Sequence, residues 1–159
     1  MPQPFKDVVS RLYRPPAGHT RQVFALSRSD AEKLPRLPSM AVISITAQER
    51  SPANLDGFDH LLRLSFADLD FLNRARSTKA RDKADQSFTV EQARQIRSFV
   101  EHLPEPVTSV VVHCEGGYSR SCAIALALHQ MYGYLVEMDY LKNANPSVVH
   151  VMTGTSSPR

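Results

Sequence analysis

The chain of 159 residues has no tryptophan and only two cysteines, Cys114 and Cys122. Two thiols exclude a disulfide framework, and a reducing compartment suits a chain that keeps them free. Long apolar runs are also missing. The longest aliphatic stretch, residues 123–128, is far short of the ~20 residues that span a bilayer. The opening Met-Pro-Gln-Pro-Phe-Lys-Asp lacks the basic-then-apolar layout of a secretory leader. A cytoplasmic location and no membrane partner are therefore expected. Net charge is small, +3 with a pI near 9.0. That favours anionic substrates mildly, but it is too little to point to nucleic acid.

Hydrophobic residues make up 42% of the chain, enough for a real core, and the length suits one domain. Residues 1–20 hold four prolines and read as an irregular N-terminal arm with at most a short helix over 5–13. The folded domain is expected over 21–152, and the small polar stretch 153–159 reads as a flexible tail. Within the domain, 23–26, 40–46, 60–67 and 109–113 read as strands. In 60–67, Leu62, Leu64 and Phe66 fall on one face at period two. Helical segments alternate with these strands. Ser29-Asp30 reads as the cap of a short helix to Leu34. Thr89 and Gln92 have capping-box spacing ahead of Val90, Ala93, Ile96, Phe99 and Leu103 at helical intervals. Residues 120–132 read as a helix apolar nearly all round, stopped or kinked at Gly133. A further helix is expected over 134–144, and Ser147 is expected to cap a last one to Met152. This order predicts an α/β fold: a central, mostly parallel sheet of four to five strands flanked by helices. In such folds ligands bind beyond the carboxyl ends of the strands, where Cys114 and Asp68 both fall.

The segment His113-Cys114-Glu115-Gly116-Gly117-Tyr118-Ser119-Arg120-Ser121 is a strand end, a glycine-bearing loop and a helix start. Consecutive backbone amides can curl round an anion there, and the helix N-terminus adds partial positive charge. The same field stabilises a thiolate, which can attack phosphorus and form a thiophosphate intermediate. Arg120 offers a planar fork matched to two phosphate oxygens. Five fixed positions in His-Cys-x-x-Gly-x-x-Arg-Ser arise by chance in a chain this long on the order of 5 × 10⁻⁵ of the time. The competing reading is a buried cysteine before a helix, with no chemistry.

This loop resembles the signature of the cysteine-dependent protein tyrosine phosphatase superfamily, and it is most similar to the small bacterial dual-specificity-like members. The resemblance runs loosely from about Val23 to Met152. It implies a dual-specificity-phosphatase-like fold and hydrolysis of phosphate monoesters through a phosphocysteine intermediate, with neither cofactor nor metal. It also implies Cys114 as nucleophile, Arg120 as phosphate ligand and His113 as the residue that orients the cysteine. Ser121 would ease loss of the thiolate in the second step. The amides of Glu115, Gly116, Gly117, Tyr118, Ser119 and Arg120 would bind phosphate oxygens. Without tryptophan there is no Trp-Pro-Asp triplet, so the acid loop is not of the large tyrosine-phosphatase type.

The leaving oxygen needs a proton. Asp68, at its strand end, is the first candidate for the acid and Asp70 the second, with Asp82 and Asp85 as outsiders. The alternative for Asp68 is a strand-end turn residue. Residues 73–86 carry Arg74, Arg76, Lys79, Arg81 and Lys83, which suits either a basic rim or lid or a plain solvated loop. Cys122 reads as a small buried helix residue rather than a redox partner of Cys114. Glu115 is expected to point away from the anion, and Tyr118 either meets substrate or packs. The expected substrate is a phosphorylated protein. A polynucleotide 5′-phosphate, a phosphoinositide or a non-catalytic phospho-binding role are the alternatives.

Overall fold

The structure is a computed structural model that describes residues 3–68 and 87–154. Asp70, Asp82, Asp85, the basic stretch 73–86 and residues 155–159 lie outside the described residues.

Among the described residues four strands form one sheet: β1 (Gln22–Ser27), β2 (Met40–Thr46), β3 (Leu61–Ser65) and β4 (Ser109–Cys114). Their order is β1-β4-β2-β3, and every pairing is parallel. Both inner strands are β-branched runs, Met-Ala-Val-Ile-Ser-Ile-Thr and Ser-Val-Val-Val-His-Cys, and both are covered on each face, as inner strands of a parallel sheet must be.

Side chains alternate across the sheet. Val110, Val112, Ala41, Ile43 and Leu64 look toward one face, where α3 (Val90–Glu101), α4 (Arg120–Tyr132) and α5 (Pro146–Gly154) pack. Val111, Met40, Val42, Phe24 and Leu26 look toward the other. There they meet Val8 and Leu12 of α1 (Phe5–Tyr13) and Ala31 of α2 (Arg28–Glu32). The predicted face of 60–67 forms as expected. Phe66 is fully buried, Leu64 nearly so, and Leu62 packs against the same cluster.

The capping box of Thr89 and Gln92 is present in both directions. Val90 nevertheless points to solvent, Val100 joins Ala93 and Ile96 on the buried side, and Leu103 lies beyond the helix. Helix α4 ends at Gly133, whose left-handed φ of 73° reverses the chain. Two caps and one helix differ from expectation. Ser27, not Ser29, caps α2 by accepting from the Asp30 amide. Asn145, not Ser147, caps α5: its Oδ1 accepts from the Ser147 amide at 2.9 Å and the Val148 amide at 3.3 Å. Pro146 then opens the helix at a position where its missing N–H costs nothing. Residues 134–144 form no long helix. Leu135 instead extends the open edge of β1, accepting from the Val23 amide at 3.0 Å and donating to Arg21 O at 2.9 Å. Only a single 3₁₀ turn follows, Met138–Tyr140. Sheet hydrogen bonds from distant residues override the local helical preference there.

Candidate active site

The loop between β4 and α4 sits at the carboxyl end of an inner strand. Cys114 ends β4 and is buried, with its thiol 3.2 Å from Ser121 Oγ, to which it donates. The Gly117 amide curls back and donates to the same sulfur at 3.2 Å. One backbone donor and one hydroxyl therefore converge on Sγ. If the sulfur carries negative charge, the Ser121 hydroxyl can turn and donate as well.

Gly117 is what allows this turn. Its φ is +79°, and a Cβ there would lie 2.7 Å from the backbone of Leu26 and Ser27 at the end of β1. The loop is thus pressed against a neighbouring strand at a point where only glycine fits. Tyr118 is half-exposed on the rim, and its ring folds back over Gly116.

Arg120 opens α4 and is buried, with Nη1 donating to Phe66 O at 2.9 Å. That bond ties the arginine to the chain just past β3. Its Nε is buried with no hydrogen-bond partner among the described residues. A buried guanidinium donor left unmade is costly, and an oxyanion over the loop would satisfy it.

His113 is fully buried one residue before the cysteine. Its Nδ1 lies 3.1 Å from Cys114 O and its Nε2 2.6 Å from Ser44 Oγ. A carbonyl only accepts, so Nδ1 carries the proton and Nε2 accepts from the Ser44 hydroxyl. Burial holds the imidazole below its ordinary pKa, in keeping with that neutral form.

Glu115 does point away from the loop centre. Its carboxylate pairs with Arg28 and Arg50, each at 3.3 Å, and its carbonyl accepts from the Arg28 amide at 3.1 Å. Arg28 in turn donates to Ser51 O and Pro52 O at 2.7 and 2.8 Å and pairs with Glu32. Glu32 also accepts from the Asn54 amide, and this bond is the main reason its carboxyl stays below the usual range. The network bolts the outer side of the loop to the chain that follows β2.

Asp68 stands three residues past β3 and is exposed. Its Oδ1 accepts from Ser119 Oγ at 2.8 Å and from Asn145 Nδ2 at 2.6 Å. The structure thus brings Asp68 against the loop that carries Cys114. Asn145 is not among the candidate residues read from the sequence, because nothing local ties it to Asp68, 77 positions earlier. Cys122, in the first turn of α4, donates to Gly117 O at 3.3 Å and Tyr140 O at 3.2 Å, and burial pushes its thiol up to about 12. It buttresses the loop from behind.

No family model matches the chain, and no curated protein matches it by sequence. Solved structures do match. One is a human tyrosine phosphatase-like serine/threonine/tyrosine-interacting protein, 20% identical over 83% of this chain and 89% of that one, with a TM-score of 0.51. Another is Tk-PTP in its active form, 16% identical over 87% of this chain and 94% of that one, with a TM-score of 0.52. The chain therefore has the α/β fold of the tyrosine- and dual-specificity-type phosphatases, with a four-stranded parallel sheet. The fold implied by the resemblance of residues 113–121 and the architecture of the described residues agree.

Proposed function

We propose that this chain hydrolyses phosphate monoesters through a phosphocysteine intermediate, with phosphorylated proteins as the substrate class. The observation that carries the reading is the convergence of the Gly117 amide and the Ser121 hydroxyl on Cys114 Sγ, beside the buried Nε of Arg120, which has no hydrogen-bond partner among the described residues. A dianionic phosphate over this loop would give Arg120 its missing acceptor and bring phosphorus to the sulfur. The sulfur attacks, Arg120 and the loop amides take up the charge on the equatorial oxygens, and Asp68 protonates the leaving oxygen. Ser121 then donates to the departing thiolate when water cleaves the S–P bond. His113, held between Ser44 and its neighbour's carbonyl, orients the cysteine backbone. The reaction needs a reduced Cys114, which fits a cytoplasmic setting. Among the described residues no helix is long and apolar enough to cross a membrane.

The test is hydrolysis of 4-nitrophenyl phosphate in the presence of chelator. Activity inhibited competitively by vanadate and abolished by Cys114→Ser supports the reading. Full activity in Cys114→Ser sinks it.

A second reading has a specific motive, since one structural neighbour is named for interaction rather than hydrolysis. This chain would then bind phosphorylated partners without turning them over. Retention of cysteine, arginine, serine and a loop-side aspartate favours the enzyme. Tight phosphopeptide binding with no turnover at any pH would favour the binder. Within the enzyme reading, a panel of phosphopeptides, phosphoinositides and 5′-phosphorylated oligonucleotides separates the substrate classes.

A further inference from the structure

Ser119 occupies the N-cap position of α4, where a serine ordinarily accepts from the first turn of its own helix. It makes no such bond. Its hydroxyl reaches instead to Asp68 Oδ1, 51 residues earlier in the chain. The Ser119 carbonyl meanwhile accepts from the amides of Ala123 at 3.0 Å and Asn145 at 3.1 Å. Asn145 is buried, and its amide orientation is fixed. Its Oδ1 is held as acceptor by two backbone N–H groups of α5, so the NH2 must face Asp68, at 2.6 Å. Two donors from two different helices therefore meet on one oxygen of one exposed carboxyl. The other oxygen, Oδ2, takes no hydrogen bond from any described residue.

We propose that Ser119 and Asn145 are positioning residues that hold Asp68 with Oδ1 locked as acceptor, so that the proton of the acid resides on Oδ2 and is delivered from there. The proposal rests on the phosphatase reading above. An oxygen that already accepts two hydrogen bonds is a poor place for a proton, whereas Oδ2, to which no described residue donates, keeps its lone pairs for one. In the transfer step the thiolate pair of Cys114 forms the S–P bond and the P–O bond pair passes to the ester oxygen. The Oδ2 proton follows it, leaving a neutral alcohol and an Asp68 carboxylate. The two donors then stabilise the charge that appears on Asp68, so their help grows as proton transfer proceeds. A simple strand-end tether would hold Asp68 without that coupling to the leaving group.

The test compares phenyl phosphate, a poor leaving group that needs the proton, with 4-nitrophenyl phosphate, a good one that needs it less. Ser119→Ala should lower kcat/KM about 10-fold more on phenyl phosphate than on 4-nitrophenyl phosphate, and Ser119→Thr should restore it. Because the Ser119 hydroxyl caps nothing, this variant removes the Asp68 contact without loosening α4. Asn145→Ala should show the same split together with some loss of stability from the missing cap of α5. In an Asp68→Asn background the split should vanish. Equal losses on both esters, or a split that persists without Asp68, overturn the proposal while leaving the phosphatase reading intact. A wild type that turns over neither ester, or a Cys114→Ser variant that still does, overturns that reading and this proposal with it.

Discussion

Ser44 and His113 are register partners across β2 and β4, and the Ser44 hydroxyl meets His113 Nε2 at 2.6 Å in full burial. The residue before Cys114 is thus anchored to the middle of the sheet rather than to the loop. Ser44→Ala should leave Nε2 without a donor and cost about 1–3 kcal/mol, read as a lower denaturant midpoint. Ser44→Thr, which keeps the hydroxyl, should lose less.

The same burial gives stability a pH dependence of defined sign. His113 titrates below 6.5 in the folded chain and near 6.5 when unfolded. Between those values the unfolded state binds more protons, so stability falls as pH drops. It is fully present above 6.5 and lost as pH falls through the depressed folded value. Glu32 adds a second loss of the same sign, beginning below its ordinary 4.5, though it is partly exposed and its share is screened. Thermal unfolding from pH 8 to about 3 should show both, and the His113→Asn variant should lack the upper one.

Gly117 tests the loop's geometry independently of any activity. A Cβ at φ +79° costs about 1–2 kcal/mol in backbone strain alone, and here it would also meet the Leu26–Ser27 backbone at 2.7 Å. Gly117→Ala should lower stability by more than the strain figure, and it should impair vanadate binding as the amide leaves Cys114. Gly133→Ala shares the positive φ but has open space around it, so it should pay the strain and spare the loop.

How much of this was readable from the amino-acid order follows from how local each determinant is. The strand cores, the Thr89 capping box and the helix over 120–132 are set by residues within a few positions of one another, and these fell where the pattern put them. The stretch 134–144 did not, because Leu135 is captured by Arg21 and Val23, more than a hundred positions away. Cys114, Arg120 and Ser121 were legible as one contiguous loop. Asn145 was not, because its link to Asp68 spans 77 positions and its side chain divides between a cap and a carboxylate. Ser119 was legible only as a loop amide, since nothing in the sequence says that its hydroxyl would forgo its own helix.

Glu115 puts a negative charge in a loop that otherwise gathers positive potential, and Arg28 is what neutralises it. Arg28 is largely buried and is spread over Ser51, Pro52, Glu32 and Glu115, so a lysine cannot replace its fork. Arg28→Met should therefore leave the Glu115 charge on the outer side of the loop opposed, among the described residues, by the exposed Arg50 alone. Vanadate should bind about 10-fold more weakly, a loss of about 1.4 kcal/mol. Adding Glu115→Gln should recover part of that loss, because the unpaired charge rather than the missing arginine repels the ligand. If the double variant binds vanadate as poorly as Arg28→Met, the harm comes from a loosened loop instead. The denaturant midpoints of the two variants, measured alongside the inhibition constants, would show that loosening directly.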